Sequence, residues 1–373
     1  MATEWLIRYS EIFLKSDPVR KHWENILIST IRRVLPDIDV RNERGRIWLT
    51  GEIDPDILSK VFGIVSFSKV EKFHLDDLKR GLLDFCRENG METAGSFAIR
   101  MKRVGRHSFT SQQMAAHTGS LILAQYPHLK VDLSNPEKEI FIEIREEQCY
   151  VYDTIIKGPG GLPLGSAGSL VALVSGGIDS PVASWMMMKR GCRIIPIYVA
   201  LDQFLDETTL IRARKVIEAL RPYQPDIELI VISDEYLASA KKELIDGRNE
   251  KYTCIFCKRR MYRIAEAVAR SVGAAGIVTG ESIGQVASQT LDNLIVLNDA
   301  AGIPVYRPLI GLDKEEIMKL ARDIGTFIPS IEKTTGCKAV PKGPSTKADL
   351  DTILEMERKM ISSTIPLPKM PIK

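Results

Sequence analysis

The run Leu170-Val171-Ala172-Leu173-Val174, followed at once by Ser175-Gly176-Gly177-Ile178-Asp179-Ser180, restricts the fold more than any other stretch of the chain. Its five leading residues are continuously apolar and partly β-branched, the pattern of a strand buried on both faces. After the glycines, Val182, Ala183, Trp185, Met186 and Met187 recur at helical spacing until Gly191 closes the element. A glycine pair therefore sits where a strand turns sharply into a helix. Such a turn aims backbone N–H groups and the positive end of the helix at one spot, which suits an anion. Ser175 and Ser180 add hydroxyls, and Asp179 adds a carboxylate able to hold Mg²⁺ beside a phosphate. A plain strand-to-helix turn also tolerates Gly-Gly, but two serines, two glycines and an aspartate in six residues exceed what a turn needs. The segment reads as a phosphate-binding loop.

It is not a Walker loop: no GxxxxGK[ST] occurs and no lysine follows the glycines. It resembles the pyrophosphate loop, SGGxDS, of the ATP pyrophosphatases. That resemblance implies an adenine-nucleotide α-hydrolase-like fold and cleavage of ATP between its α- and β-phosphates. An acceptor oxygen would be activated as an adenylate, with Mg²⁺-pyrophosphate gripped by the loop as leaving group.

A chain of 373 residues has room for two or three domains with real cores. The net charge of +3 is too small to demand a polyanionic partner, but its distribution is uneven. From Thr93 to Val131 no acidic residue occurs, whereas Arg100, Lys102, Arg103, Arg106 and Lys130 do, with His107, His117 and His128. Two readings stand: a solvated basic face, or a surface for nucleic acid, since solvated faces normally mix signs. No apolar run approaches the ~20 residues of a membrane helix, and Met1-Ala2-Thr3-Glu4 does not begin a signal peptide. Six unevenly spaced cysteines do not read as a secreted disulfide framework. A cytoplasmic enzyme with reduced thiols is expected.

In chain order, Glu4–Tyr9 reads as a strand, Pro18–Leu35 as a helix, Asp39–Leu49 as a hairpin around Asn42-Glu43-Arg44-Gly45, Pro55 onward as a helix, and Ile64–Ser68 as a strand. That order makes a small ferredoxin-like unit. A helix (Asp76–Asn89), a basic strand (Ser96–Arg103), a helix (Gln112–Tyr126) and a hairpin (Glu139–Arg145 with Cys149–Ile156) follow. Lys157–Gly165 is dense in glycine and proline and marks a linker. Beyond it strands and helices alternate: Arg193–Ala200, Thr208–Leu220, Glu228–Ser233, Glu235–Leu244, Lys258–Val272, Ala275–Thr279 and Lys314–Gly325. The fold class expected is α/β, a doubly wound parallel sheet whose ligand site lies at the carboxyl ends of its strands, preceded by α+β domains.

Three further stretches are singled out: Glu143-Ile144-Arg145 through Lys157-Gly158-Pro159-Gly160-Gly161-Leu162-Pro163, Gly280 to Thr290, and Thr334-Thr335-Gly336-Cys337. Together they resemble the tRNA 4-thiouridine synthetases (tRNA sulfurtransferases), over essentially the whole chain. The resemblance implies a ferredoxin-like domain (1–57), a THUMP RNA-binding domain (58–160) carrying the acid-free window, and a pyrophosphatase domain (161–373). In that family ATP activates the C4 oxygen of the uridine at position 8 of tRNA, and sulfur replaces it. Carried over by position, the ATP contacts are Leu173, Val174, the loop residues Ser175, Gly176, Gly177, Asp179 and Ser180, then Tyr198, Val199, Lys258, Gly280 and Gln289. The expected tRNA contacts are the basic residues of the acid-free window, Arg100, Lys102, Arg103 and Arg106, and the expected catalytic pair is Asp179 and Cys337. A homodimer and a part in sulfur supply for thiamine synthesis are implied in the same way. Lys258-Arg259-Arg260 with Arg263 reads by itself as a basic helix face.

Cys337 lies in a polar Gly/Lys/Thr loop, not on an apolar stripe. Many family members carry a rhodanese domain that bears the persulfide. Only 36 residues follow Cys337, so none is expected here. The sulfur donor is then an external persulfide source, such as a cysteine desulfurase, or free sulfide. Cys254-Ile255-Phe256-Cys257 departs from the general family pattern. Zinc wants four Cys/His ligands, and all five histidines lie at or before His128. Cys254, Cys257 and Cys337 better fit an iron–sulfur cluster with one open iron, with a thiol–disulfide relay as the competing account. Two rivals remain: an adenylating enzyme acting on a small molecule, which has no use for the N-terminal architecture, and a tRNA binder that only senses ATP, which needs neither Asp179 nor Cys337.

Overall fold

A computed structural model describes residues 3–43 and 45–369; Met1, Ala2, the hairpin residue Arg44 and residues 370–373 lie outside the described residues. The chain divides into two compact units, Met1–Gly160 and Gly161–Lys373.

The first unit begins with β1 (Glu4–Arg8), α1 (Asp17–Val34), β2 (Asp39–Glu43), β3 (Arg46–Thr50), the single turn α2 (Pro55–Leu58) and β4 (Ser66–His74). Proline in the first turn of both helices suits positions whose N–H has no helical partner. The antiparallel order β2-β3-β1-β4 is that of a split βαβ, ferredoxin-like sheet. Next come α3 (Leu78–Glu88), β5 (Ser96–Val104), α4 (Ser111–Gln125), β6 (Lys130–Val131), β7 (Lys138–Arg145), β8 (Gln148–Tyr152) and β9 (Ile156–Lys157). The sheet continues through β4 as β8-β7-β5-β6, with β5 and β7 parallel. β4 runs on to His74 and belongs to both halves: Ser66–Val70 pair with β1, Glu71–His74 with β8.

One face of this sheet buries Ile7, Ile47 and Phe67 against α1, and further along Phe97, Ile142 and Val151 against α3 and α4. The other face buries Leu6, Trp48, Val70, Tyr150 and Tyr152. Trp48 of β3 stacks on Tyr150 of β8 at 4.1 Å, although β1 and β4 lie between them. At ~4.8 Å per strand a flat sheet would hold them about 14 Å apart. The sheet therefore curls until its second face closes on itself.

The second unit contains β10 (Ser169–Leu173), α5 (Asp179–Lys189), β11 (Arg193–Ala200), α6 (Glu207–Glu218), β12 (Ile230–Ser233), α7 (Tyr236–Asp246), α8 (Thr253–Val272), β13 (Ile277–Val278), α9 (Leu291–Asn298), β14 (Val305–Tyr306), α10 (Lys314–Asp323), the short α11 (Phe327–Ser330) and α12 (Leu350–Lys359). All its strand pairs are parallel, in the order β12-β11-β10-β13-β14. The chain leaves β10 toward one edge and returns to build the other, so the topological switch lies between β10 and β13.

Three sequence expectations need correction here. Helix α8 starts at Thr253, not Lys258, so Cys254 and Cys257 lie in its first two turns. The strand expected over Ala275–Thr279 is two residues long. Lys258-Arg259-Arg260 is not a solvated basic face: Arg259 is fully buried between Glu357 of α12 and Asp299, and Arg260 is buried on Asp234. Arg263 joins Glu357 at 2.7 Å, so this cluster fastens α12 to α8. Among the described residues no helix is long and apolar enough to cross a membrane.

Candidate nucleotide and sulfur site

The loop from β10 to α5 is shaped by close backbone approach. Gly176 has φ +75°, and a Cβ there would lie 2.9 Å from the Ala213 nitrogen of α6. A Cβ on Gly280, just after β13, would lie 2.7 Å from the Asp179 carbonyl carbon and the Ser180 nitrogen. Both glycines are required by space, and Gly280 is thereby pressed against the start of α5. The loop amides are partly held by its own hydroxyls: Gly177 N–H donates to Ser175 Oγ and Ser175 N–H to Ser180 Oγ, each at 3.4 Å. No side chain caps α5, so the N–H groups of its first turn have no side-chain cap.

Beside this loop opens a cavity of about 550 Å³. Every residue assigned to ATP from the sequence lines it except Gly176 and Gly177, which shape the loop behind. Leu173 and Val174 come from the end of β10, Tyr198 and Val199 from β11, Lys258 from α8, and Gly280 and Gln289 from the segment after β13. The Gln289 side-chain oxygen is buried with no partner, an acceptor open to an N–H donor.

Two cationic groups missing from the sequence assignment are brought in by the fold. Lys314, the first residue of α10, donates to Asp179 Oδ1 at 2.6 Å, across 135 positions of chain. Its helix is started by a capping box between Asp313 and Glu316. Arg307 and Lys258 meet on Glu281, at 2.8 and 3.0 Å, and the same buried carboxylate accepts from Tyr262 Oη at 2.5 Å and Thr279 Oγ1 at 3.1 Å. Burial pushes the Glu281 carboxyl up, but Lys258, Tyr262 and Arg307 outweigh it and hold it down at about 2. Glu281 thus fixes the Lys258 ammonium at the cavity. The one signal in the sequence is that Glu281 and Arg307 fall in polar loops of an α/β pattern; which partners they take depends on tertiary packing.

Cys254, Cys257 and Cys337 line the same cavity. Burial, followed by the charge of Cys337, raises the thiols of Cys254 and Cys257 above the usual range, so both stay protonated near neutrality. Cys337 is exposed. Its loop is fastened by Thr335 Oγ1 donating to Asp206 Oδ2 at 2.5 Å and by Lys338 N–H donating to Phe204 O at 3.0 Å. Among the described residues no group of three or more His, Cys, Asp or Glu stands close enough to hold a metal ion. The three cysteines share a cavity, then, but are not gathered into the cluster site expected of them: two are fixed a helical turn apart on α8 while the third rides a loop tied to Asp206. Asp179 is a hard oxygen donor of the kind Mg²⁺ takes alongside phosphate, with Lys314 on only one of its oxygens. Cys86 and Cys149 are buried among apolar side chains in the first unit, their thiols pushed up to about 12.

The basic window lies in the first unit. Lys102 and Arg106 are exposed. Arg100 is engaged by Glu139 at 2.6 Å and by the Leu133 carbonyl, and Arg103 leans on the Gly105 carbonyl and His107. The four cations are therefore unequal, with two free to reach a partner and two partly spent inside the fold.

Known proteins similar to this chain cover nearly its whole length. The family model described as thiamine biosynthesis protein (ThiI) matches residues 165–361, the THUMP domain model residues 73–153, and the ThiI ferredoxin-like domain model residues 4–68. A probable tRNA sulfurtransferase of Methanobrevibacter smithii is 42% identical over 368 residues, covering 95% of each chain. That of Methanothermobacter thermautotrophicus is 41% identical, over 95% of this chain and 93% of the relative. The crystal structure of a 4-thiouridine synthetase–RNA complex with bound ATP superposes with a TM-score of 0.85 at 33% identity, over 96% of this chain and 95% of that one. With its α/β pyrophosphate-loop unit, its ferredoxin-like and THUMP parts and these relatives along nearly its whole length, the chain belongs to the tRNA sulfurtransferase (4-thiouridine synthetase) family.

Proposed function

We propose that this protein adenylates the uridine at position 8 of tRNA and replaces its C4 oxygen with sulfur. The observation that carries the reading is one cavity lined by the phosphate loop, an unpartnered Gln289 acceptor and Cys337. Adenine offers an amine to the Gln289 oxygen, while the loop amides and Lys258 face the phosphates. The uridine O4 attacks the α-phosphorus of ATP and pyrophosphate leaves toward the loop. Asp179 is the residue that would hold Mg²⁺, which would supply charge neutralisation for the leaving pyrophosphate. Asp179 is already paired with Lys314, so that lysine lies beside the leaving group as well.

Sulfur is then delivered from Cys337, with Cys254 and Cys257 as its thiol neighbours. Among the described residues no group of ligands is gathered for a metal, and the route proposed runs through the Cys337 sulfur alone. The sulfur comes from a persulfide donor such as a cysteine desulfurase. The N-terminal unit, with 1–57 as its ferredoxin-like and 58–160 as its THUMP part, takes the tRNA through Arg100, Lys102, Arg103 and Arg106, and residues 161–373 perform the chemistry. A homodimer, a cytoplasmic setting and a share in sulfur supply for thiamine synthesis complete the proposal. Purified protein given unmodified tRNA, ATP, Mg²⁺ and a persulfide source should yield 4-thiouridine, with AMP and pyrophosphate, by nucleoside mass spectrometry. Thiolation that proceeds without ATP, or no thiolated uridine at all, refutes the reading.

A further inference from the structure

Besides the Gln289 oxygen, two polar atoms in residues of the cavity wall are sealed from solvent and bond nothing among the described residues: the hydroxyl of Tyr198, a residue 2% exposed, and Nε of Arg212. Buried donors without acceptors are rare, and each asks for an explanation. The chain between them is where the Cys337 loop is fastened. Phe204 and Asp206 hold Lys338 and Thr335, and Arg212 Nη1 donates to the Glu332 carbonyl at 3.0 Å. The loop is thus tied on both sides of Cys337 to the segment joining β11 to α6. Burial pushes the Tyr198 phenol up to about 12, with Asp206 raising it, Arg212 opposing and Cys337 adding to the rise. The phenol keeps its proton, and its side chain lines the same cavity as Cys337.

We infer that Tyr198 Oη–H and Arg212 Nε–H form a two-donor seat for the anionic sulfur carried by Cys337, and so are catalytic residues of sulfur transfer. This rests on the reading that sulfur passes through Cys337. A persulfide on Cys337 bears its charge on the terminal sulfur. That sulfur bonds to C4 as the C4–O bond breaks, and AMP leaves with the electron pair and the former O4. A thiolate, from Cys254, Cys257 or an external dithiol, then attacks Sγ of Cys337. The nucleotide leaves as the thiolate of 4-thiouridine, a disulfide remains, and a dithiol reductant restores the two thiols. Both sulfur steps start from or pass through an anion near Cys337, where fixed donors in a water-poor cavity act strongly. They also keep the terminal sulfur directed at one place before the adenylate forms.

The test is single-turnover sulfur transfer by full-length protein preloaded with sulfane sulfur from a cysteine desulfurase and cysteine, with pyrophosphate release measured in parallel. Tyr198→Phe, which removes only the hydroxyl, should lower the ratio of transfer to pyrophosphate release by about tenfold or more. Arg212→Gln should lower the same ratio, and Arg212→Lys should restore it only in part, because an ammonium lacks the fixed Nε–H. Equal slowing of both steps, or a raised KM for ATP with an unchanged transfer rate, would make these residues part of the nucleotide pocket alone and overturn the inference. Cys337→Ala separates the two levels. If it transfers sulfur at the parent rate, the route through Cys337 fails. If it is inactive while Tyr198→Phe keeps the parent ratio, only the two-donor seat fails.

Discussion

Replacing Glu281 by glutamine should destabilise the second unit by about 3 kcal/mol at neutral pH. The carboxylate is 4% exposed and meets Lys258, Arg307, Tyr262 and Thr279. Its carboxyl is held at about 2 against an ordinary 4.5, and a separation of that size corresponds to about 3 kcal/mol of preference for the charged form in the folded state. Removing one partner of a buried ion pair costs about 3–5 kcal/mol in general, since the remaining charges stay buried. The two figures agree although they rest on different reasoning. Because the folded value lies below the unfolded one, the contribution is complete above pH 4.5 and is lost as pH falls from 4.5 toward 2. Urea unfolding followed by circular dichroism gives the difference at neutral pH, and repetition at stepwise lower pH gives the window. The variant should also raise the KM for ATP, because the Lys258 ammonium loses its anchor. A loss under about 1 kcal/mol, or a parent protein whose stability does not fall in that acid window relative to the variant, would refute the ion-pair reasoning.

Asp179→Ala should abolish pyrophosphate release and leave tRNA affinity near the parent value, since the carboxylate faces the nucleotide loop; release at the parent rate counts against it. Replacing Lys102 and Arg106 should flatten the salt dependence of tRNA binding by roughly 0.7–0.9 for each phosphate no longer neutralised. The effect should exceed that of replacing Arg100 and Arg103, which are engaged by Glu139 and by Gly105 and His107. An unchanged slope in filter binding would mark the window as a solvated face. Cys254→Ala with Cys257→Ala should slow multiple-turnover thiolation, leaving resolution to the external dithiol, while sparing pyrophosphate release; parent-level thiolation would remove both from the mechanism. Iron analysis of anaerobically purified parent protein reports in the same experiment whether these thiols gather a metal.

The parts of the molecule written in local pattern were legible in the sequence. The continuous apolar run of β10 and the run Arg193–Ala200 could only be inner strands of a parallel sheet, and β11 spans those same residues. The glycines of the loop announced close approach, and Gly176 does meet the α6 backbone. What stayed hidden has no periodicity to read. β13 and β14 have two residues each, too few to alternate. α9 starts directly after a polar segment and is apolar on most sides, so no stripe marks it. The basic run after Cys257 carried the charge pattern of a surface, yet its acidic partners Asp299 and Glu357 arrive from 40 and 98 positions away. Lys314 is the plainest case: its own neighbourhood specifies a capped helix start, and only the packing of α10 against α5 brings its ammonium to Asp179.

The three cavity cysteines differ in a way that bears on the order of events. A thiol is a poor nucleophile until it loses its proton. Cys254 and Cys257 sit on α8, where burial raises both and the Cys337 charge raises them further. On the proposed route, a sulfur anion placed on Cys337 would add to the burial that already keeps its two neighbours protonated. Once that anion has been spent on C4, the opposing charge is gone, while Lys258, next in sequence to Cys257, still favours the thiolate form. On the proposed route, resolution by Cys254 or Cys257 would then become easier after transfer than before it. Such coupling would prevent a premature attack on the Cys337 persulfide, which would release the sulfur as sulfide before an adenylate exists to accept it. On that route, the burial and charge that would make the pair poor carriers of sulfur would suit them to act second.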